Sequence, residues 1–498
     1  MRYSILQKLW LGLSLICQIA SAREAHDNGD RTRPRRFRGL GYTNRLAKRS
    51  DDLLSRRVRL LTSSAQSQMP KMVGIGKRSR QVAVGGVGTG GQTGSAACDT
   101  CTDPSPTPSD EPIVIRGRGT LPQSSSYLTL NEDRTGLLLD NKPFRPVGTN
   151  IYWLCNDENI AGRPEGYPSD KARVREALAA AVAMGANTVR IGSCGTSLGF
   201  HEAIQPDLHN YAGEDGMDIH DYAIWAAGQY GLKVILTLTD NYDYYHGGKY
   251  TILRWLGVTP DNAGAMFFTD ERAIQVYLRY IKWVLGRVNR YNNFTYGTDP
   301  TISIVETGNE LGAYMGKEGY PPSDWTDRVA QRIKQLAPQA LVMDGTDGFY
   351  NVIFAAANAV APGLLSPHID IVTDHPYPRD IHLFRTQAQL AKRAKKVFLL
   401  GEMNWLPDGA TNANLLHYLQ VLDRHPKVGV LIWSLFTHDA QCSQYVLHND
   451  SYSVYYPDGP NTPEEKQNIL WLVQWFYRVT GRQVPTVLPV QTCPQEVF

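Results

Sequence analysis

Two glutamates stand out for what precedes them. Residues 302–312 read I-S-I-V-E-T-G-N-E-L-G, a short β-rich apolar run that stops at polar residues, with Asn309 and Glu310 just past its end. Residues 397–405 read V-F-L-L-G-E-M-N-W and repeat the plan: an apolar run, then Glu402, then an aromatic. Continuous apolar runs of this length suit parallel strands buried on both faces. In α/β folds, ligand chemistry gathers where such strands surface at their carboxyl ends. Two carboxyl groups held there form the pair that cleavage of a glycosidic bond needs. A lone glutamate at a strand end is ordinarily a surface or ion-pair residue. Two of them in matched settings point instead to a working pair.

Elements able to position that pair recur along the chain. Strands are predicted at 145–151, 188–192, 233–239, 302–305, 341–343, 369–373, 397–400 and 428–436. Amphipathic helices are predicted at 170–184, 220–230, 270–289, 325–336, 383–395, 413–424 and 463–480. Ser169 is the expected N-cap of the first helix and Gly185 its stop. Eight alternations over about 350 residues favour an α/β fold of the (β/α)8 TIM-barrel type over an open doubly wound sheet. No G-x-G-x-x-G or Walker-type loop follows any strand, which weighs against a nucleotide site. Short strands within 114–119 and 127–140, with the turn Asp140-Asn141-Lys142-Pro143, read as a hairpin capping the bottom of the barrel.

The strand ends carry aromatics, amides and a few charges. In order they offer Asn150, Tyr152 and Trp153; Arg190; Asp240, Asn241 and Tyr242; Asn309 and Glu310; His375 and Tyr377; Glu402 and Trp405; and Trp433. Of Tyr242, Tyr244 and Tyr245, only some can face one cleft. Flat rings for C–H faces and polar groups for hydroxyls are what a sugar needs. The runs G-T-N-I-Y-W (148–153), Arg190, L-T-L-T-D-N-Y-D (236–243), G-N-E-L (308–311), H-P-Y-P (375–378), G-E-M-N-W (401–405) and Trp433 fall in one order over residues 144–436. That set resembles glycoside hydrolase family 5 of clan A, and most of all its endo-β-1,4-mannanases.

The resemblance implies a retaining mechanism with Glu310 as general acid/base and Glu402 as nucleophile. It implies that Asn309 bonds the sugar 2-hydroxyl, Arg190 holds the nucleophile's charge, Tyr377 donates to it, His375 completes the polar floor and Trp433 supports the sugar; Tyr152, Trp153, Asn241 and Trp405, at their strand ends, are expected to bind substrate with them. Glu310 is then expected to have a raised pKa and Glu402 to stay ionised. The expected substrate is a mannan or glucomannan. A β-1,4-glucanase, an exo-β-mannosidase and a non-catalytic polysaccharide-binding barrel stay open as alternatives. No cofactor and no metal are expected.

Bulk properties fit this reading. The 498 residues are 42% apolar and 20% charged, with a net charge of +3. Residues 23–80 hold 16 Lys/Arg against 5 Asp/Glu, so the rest of the chain is acidic, which argues against nucleic acid as a partner. Arg2 and Lys8, the apolar run 9–19 and Ala20-Ser21-Ala22 read as a signal peptide over 1–22, and no other window suits a membrane span. Residues 23–111 are basic, then Gly-rich, then Pro/Ser-rich, and read as a disordered propeptide or linker ahead of a catalytic domain at 112–498. A secreted, extracellular monomer is expected. Its cysteines would then pair as Cys98–Cys101, Cys155–Cys194 and Cys442–Cys493. Asn293 and Asn449 lie in glycosylation sequons.

Overall fold

Eight short strands close on themselves in the computed structural model, which describes residues 112–118, 125–160, 167–192, 203–315, 319–350, 360–409, 412–448 and 450–498. They are β1 (Val147–Asn150), β2 (Thr188–Ile191), β3 (Lys233–Thr237), β4 (Ile302–Glu306), β5 (Leu341–Asp344), β6 (Ile371–Asp374), β7 (Val397–Met403) and β8 (Gly429–Ile432). All pairings are parallel, each strand lies beside its sequence neighbours, and β8 closes onto β1. This is a (β/α)8 barrel. Residues 1–111, read above as leader and linker, lie outside the described residues.

Among the described residues, seven helices of nine or more residues wrap it: α1 (Lys171–Ala183), α2 (Glu214–Gln229), α3 (Glu271–Gly286), α4 (Ser323–Leu336), α5 (Ile381–Ala394), α6 (Leu415–Asp423) and α7 (Pro463–Val479). Between β5 and β6 the described residues hold only a 3-10 turn, Pro362–Leu364. The α1 cap differs from expectation. Asp170 is the N-cap, while the Ser169 hydroxyl donates to the Trp153 carbonyl at 2.7 Å. Gly185 does stop the helix, at φ +99°.

Alternation along the strands sorts side chains into two layers. Val234, Val305, Val342, Val372, Phe398 and Val430 face outward, into the large core shared with the helices. Ile235, Ile304, Leu341, Met343, Ile371, Val397, Leu399 and Leu431 face inward and fill the lower barrel. An antiparallel sheet of Thr129–Leu130, Leu137–Leu139 and Lys142–Phe144 closes that end, burying Leu128 and Leu137 against the inner cluster. Asp140 and Asn141, at φ +50° and +61°, make its two-residue turn, the left-handed pair that suits the twist of a hairpin. Val114–Ile115 does not join this sheet. It pairs in parallel with Val490–Gln491 near the carboxyl end of the chain.

The barrel floor is therefore apolar and plugged, and polar side chains gather at the upper mouth. The predicted 428–436 strand is in fact two. After β8, Leu435–Phe436 pairs separately with Val454–Tyr455, and Trp433 lies between the two pieces. The β7 register shifts between Leu400 and Met403. Such a bulge bends a strand and re-aims its side chains.

Cys442 and Cys493 form a disulfide with Cα atoms 5.7 Å apart, as expected. Cys155 is disulfide-bonded. Cys194, expected as its partner, lies outside the described residues, as do Cys98 and Cys101. No described helix is long and apolar enough to cross a membrane. Because the Cys442–Cys493 bond closes a loop with a sequence separation of 51, the Cys442→Ser/Cys493→Ser variant should lose about 2–4 kcal/mol of unfolding free energy. The readout is a lower denaturant midpoint at unchanged slope. An unshifted midpoint would mean that the loop's packing alone holds it.

Candidate active site

Three regular strands supply a fixed polar layer just above the apolar floor. Asn150 ends β1, Arg190 belongs to β2 and Glu306 ends β4. All three side chains are buried. The Arg190 guanidinium donates to five acceptors. Nε and Nη2 reach Glu306 at 2.8 and 3.1 Å, Nη1 reaches Asn150 Oδ1 and Glu402 Oε1 at 2.9 Å each, and Nη2 reaches Asn309 Oδ1 at 2.8 Å. Thr237 on β3 adds a 2.5 Å donation to Glu306. Asn150 Nδ2 ties the wall together, donating to the carbonyls of Gly401 at 2.8 Å and Ile432 at 3.1 Å.

Above this layer sit Glu310, His375 and Glu402. One atom of each lies within 4.8 Å of the others. Glu310 is gripped on both oxygens: His375 Nδ1 lies 2.8 Å from Oε1, and the Tyr242 hydroxyl donates to Oε2 at 2.6 Å. Glu402 takes Arg190 on Oε1 and the Tyr377 hydroxyl on Oε2 at 3.2 Å, with His375 Nδ1 3.6 Å from Oε1. Gly401 makes room for the imidazole, since a Cβ there would meet His375 Nε2 at 2.7 Å. Trp433 donates from its indole to Asp450 at 2.6 Å, and Tyr152 stacks on it at 5.3 Å and 14°.

The expected residues divide into two groups. Glu310, Glu402, Asn309, Arg190, His375 and Tyr377 are joined by these contacts, whereas Trp433 is bonded to Asp450. Four others are not free to meet a ligand, and these are corrections. Trp153 is fully buried under the Arg173 guanidinium, 3.6 Å from its ring, and donates to the Leu435 carbonyl. Trp405 is fully buried and donates to the Tyr452 carbonyl. The Asn241 side chain accepts from Lys249 at 2.5 Å and the Gly312 amide at 3.2 Å, bracing two loops. Tyr152 is buried behind Trp433 and donates to Glu158 at 3.0 Å. The sequence reading missed Glu306, Tyr242 as a partner of Glu310, and Asp450. Of the tyrosine run, Tyr245 turns away and donates to the Asn156 carbonyl.

Charge in this cluster runs opposite to the sequence expectation. Burial presses Glu310 upward, but the hydrogen bond and charge of His375 and the hydrogen bond of Tyr242 outweigh it, and its pKa is lowered. Glu402 is raised, by burial first, with the charge of Glu310 adding to it while His375 and Arg190 oppose. Burial would lower His375, but Glu402 and Glu310 push it up to about 9. These directions favour the proton on the imidazole, one hydrogen bond from Glu310.

The Glu310–His375–Glu402 spacing could also suit a cation. However, Arg190 already lies 2.9 Å from Glu402, and the His375 proton faces Glu310, so positive charge already fills the inner positions. A second such group, Glu176, His438 and Cys493, has its cysteine in the disulfide.

Comparison with known proteins gives a consistent family. The family model described as GH family 5 beta-mannosidase-like matches residues 127–399. Mannan endo-1,4-beta-mannosidase 1 of Oryza sativa subsp. japonica is 30% identical over 258 residues, 49% of this chain and 57% of the relative. Mannan endo-1,4-beta-mannosidase 1 of Arabidopsis thaliana is 28% identical over 260 residues, 49% of this chain and 59% of the relative. The match thus spans less than two thirds of these relatives. Among solved structures, the endo-1,4-beta-mannanase from Rhizomucor miehei superposes with a TM-score of 0.58 at 20% identity, covering 71% of this chain and 100% of that one. The endo-beta-1,4-mannanase from Thermotoga petrophila gives 0.56 at 22%, covering 71% and 82%. At these identities the structural likeness establishes the shared fold.

Two predictions test the cluster. Arg190→Met strands Glu306 without its cation, and loss of one partner from a buried pair costs about 3–5 kcal/mol. Denaturant titration should show that loss, and Arg190→Met/Glu306→Gln should recover part of it. Equal stability of parent and Arg190→Met would refute the pairing. The second concerns pH. His375 binds its proton to about pH 9 when folded and to about 6.5 when unfolded. The linked stability is complete below 6.5 and lost as pH rises through 9. His375→Asn should flatten that slope, and an unchanged slope counts against it.

Proposed function

Because the chain belongs to glycoside hydrolase family 5, in its β-mannosidase-like branch, we propose that it cleaves β-1,4-linked mannan or glucomannan within the chain, with retention, through Glu402 as nucleophile and Glu310 as acid/base. The observation that carries this reading is the convergence of the two carboxylates to within 4.8 Å across the barrel mouth. Retaining enzymes hold the pair at about 5–5.5 Å, whereas inverting enzymes leave about 6.5–9.5 Å for a water.

The steps follow from the contacts. Glu402 attacks the anomeric carbon as the bond to the leaving oxygen breaks, and Glu310 delivers a proton to that oxygen. The proton reaches Glu310 from His375 Nδ1 along their 2.8 Å contact, as the incoming saccharide excludes water and burial favours the neutral acid. Glu310, now a carboxylate, then takes a proton from the water that attacks the glycosyl–Glu402 ester. Tyr377 and Arg190 hold the Glu402 oxygens through both displacements. Asn309, whose Oδ1 is fixed on Arg190 and whose amide nitrogen donates to Asp240 at 3.5 Å, has one amide hydrogen left for a sugar hydroxyl. The disulfide supports an oxidising, secreted setting, in keeping with the leader-like residues 1–22.

Glu402→Ala and Glu310→Ala should each lower kcat on galactomannan by several orders of magnitude while oligosaccharide binding survives. Parent-like turnover in either variant removes that residue from the mechanism. Proton NMR of the first products should show the β anomer, and an α product would exclude the nucleophilic role. Rates on carboxymethylcellulose and on an aryl β-mannoside separate mannan cleavage from the glucanase and exo-mannosidase readings.

A further inference from the structure

Three tyrosines gather on the Glu310 side of the mouth. The Tyr242 hydroxyl is bonded to Glu310, and its ring has Tyr244 at 5.5 Å and Tyr314 at 6.3 Å. Tyr244 is 57% exposed and Tyr314 is 55% exposed. Among the described residues the other strongly exposed aromatic is Phe294. Two of three such rings therefore flank one catalytic carboxylate, which chance placement of surface aromatics does not readily give. Neither ring belongs to the buried core, and more than half of each residue is exposed.

The loop bearing Tyr314 is built rather than loose. Leu311 N donates to the Gly345 carbonyl at 2.8 Å, Gly312 N to Asn241 Oδ1 at 3.2 Å, and Met315 N to the Gly312 carbonyl at 3.2 Å. Tyr314 itself is held at φ +65°, a left-handed conformation that disfavours a side chain as large as tyrosine. Residues kept in such conformations cluster at ligand clamps, where surrounding contacts enforce them. On the Glu402 side, Tyr377 donates to that carboxylate, and Trp433 follows Ile432, which pairs with Met403.

We propose that Tyr244 and Tyr314 form the stacking platform for the saccharide on the leaving side of the cleaved bond. The assignment rests on Glu310 being the acid, because the group that protonates the leaving oxygen sits beside the leaving sugar. With aromatic faces on both sides of the reacting bond, the substrate is a chain that continues past it, and cleavage is internal.

The test compares two substrates. Mannopentaose places sugars on both sides of the bond. β-Mannobiosyl fluoride has fluoride as its leaving group and so nothing on the leaving side to stack. Tyr244→Ala and Tyr314→Ala should each lower kcat/KM on mannopentaose by about tenfold, the order of one aromatic contact, and the double variant by more. The fluoride should be turned over at the parent rate, and Tyr244→Phe and Tyr314→Phe, which keep the rings, should cleave mannopentaose at the parent rate. Equal losses on both substrates, or no loss on mannopentaose, overturn the platform. A parent protein that cleaves neither substrate overturns the hydrolase reading itself, and the platform with it.

Discussion

A guanidinium has five N–H donors in one plane, and Arg190 uses them on five acceptors from four residues. Those residues belong to β1, β4, the turn after β4, and β7, so one planar group sets the spacing of three walls of the mouth. Burying such a cation is costly unless it is fully bonded. The bidentate Glu306 pair meets that need and fixes the guanidinium plane. Glu402 then receives only a share of the charge. A nucleophile held by a whole cation would be stable and unreactive. One held by a shared cation is positioned yet under-neutralised.

A charge count extends the point. With the proton on His375, the cluster of Arg190, His375, Glu306, Glu310 and Glu402 carries one excess negative charge. Moving that proton to Glu310 leaves the sum unchanged. On the proposed reading, the missing positive charge is the one that develops on the sugar in an oxocarbenium-like transition state. The site is thus better balanced in the transition state than before that charge develops, which is the condition for electrostatic catalysis. The apolar plug beneath, from Leu128 and Leu137 to Leu431, keeps water from reaching this layer from below.

How much of this the sequence carried depended on backbone regularity. The eight strands were legible because apolar runs mark doubly buried strands, and the helices because their spacing is periodic. Glu306 was hidden by a one-residue boundary. With β4 ending at Val305 it becomes a loop residue, whereas in the strand its parity with Ile304 aims it inward. Trp153 and Trp405 looked like sugar platforms because they follow strand ends. Burial decided otherwise, and nothing local in the sequence separates an aromatic that faces a cleft from one that plugs a gap behind it. Asp450 was invisible for a related reason. It reaches Trp433 from a loop 17 residues on, a contact that only the folded chain creates.

The same contrast separates scaffold from reactive groups. Asn150, Arg190 and Glu306 come from stretches in regular register, in β4 past the shift between Ile302 and Ile304, where alternation points them inward. The two reactive carboxylates come from irregular backbone. In β7, Leu400 and Met403 both face the outer core, so the shift between them turns Gly401 and Glu402 inward together. After β4, Glu310 adopts φ +50° while Asn309 is pinned by its amide to Thr239 at 2.7 Å and by its carbonyl to Asn241 at 3.0 Å. Consecutive residues of a strand point to opposite faces, so Asn309 and Glu310 can serve one cavity only where the strand conformation is abandoned. The left-handed residue costs about 1 kcal/mol or more. Backbone bonds on both sides offset that cost, and they hold Glu310 where His375 and Tyr242 each reach one of its oxygens.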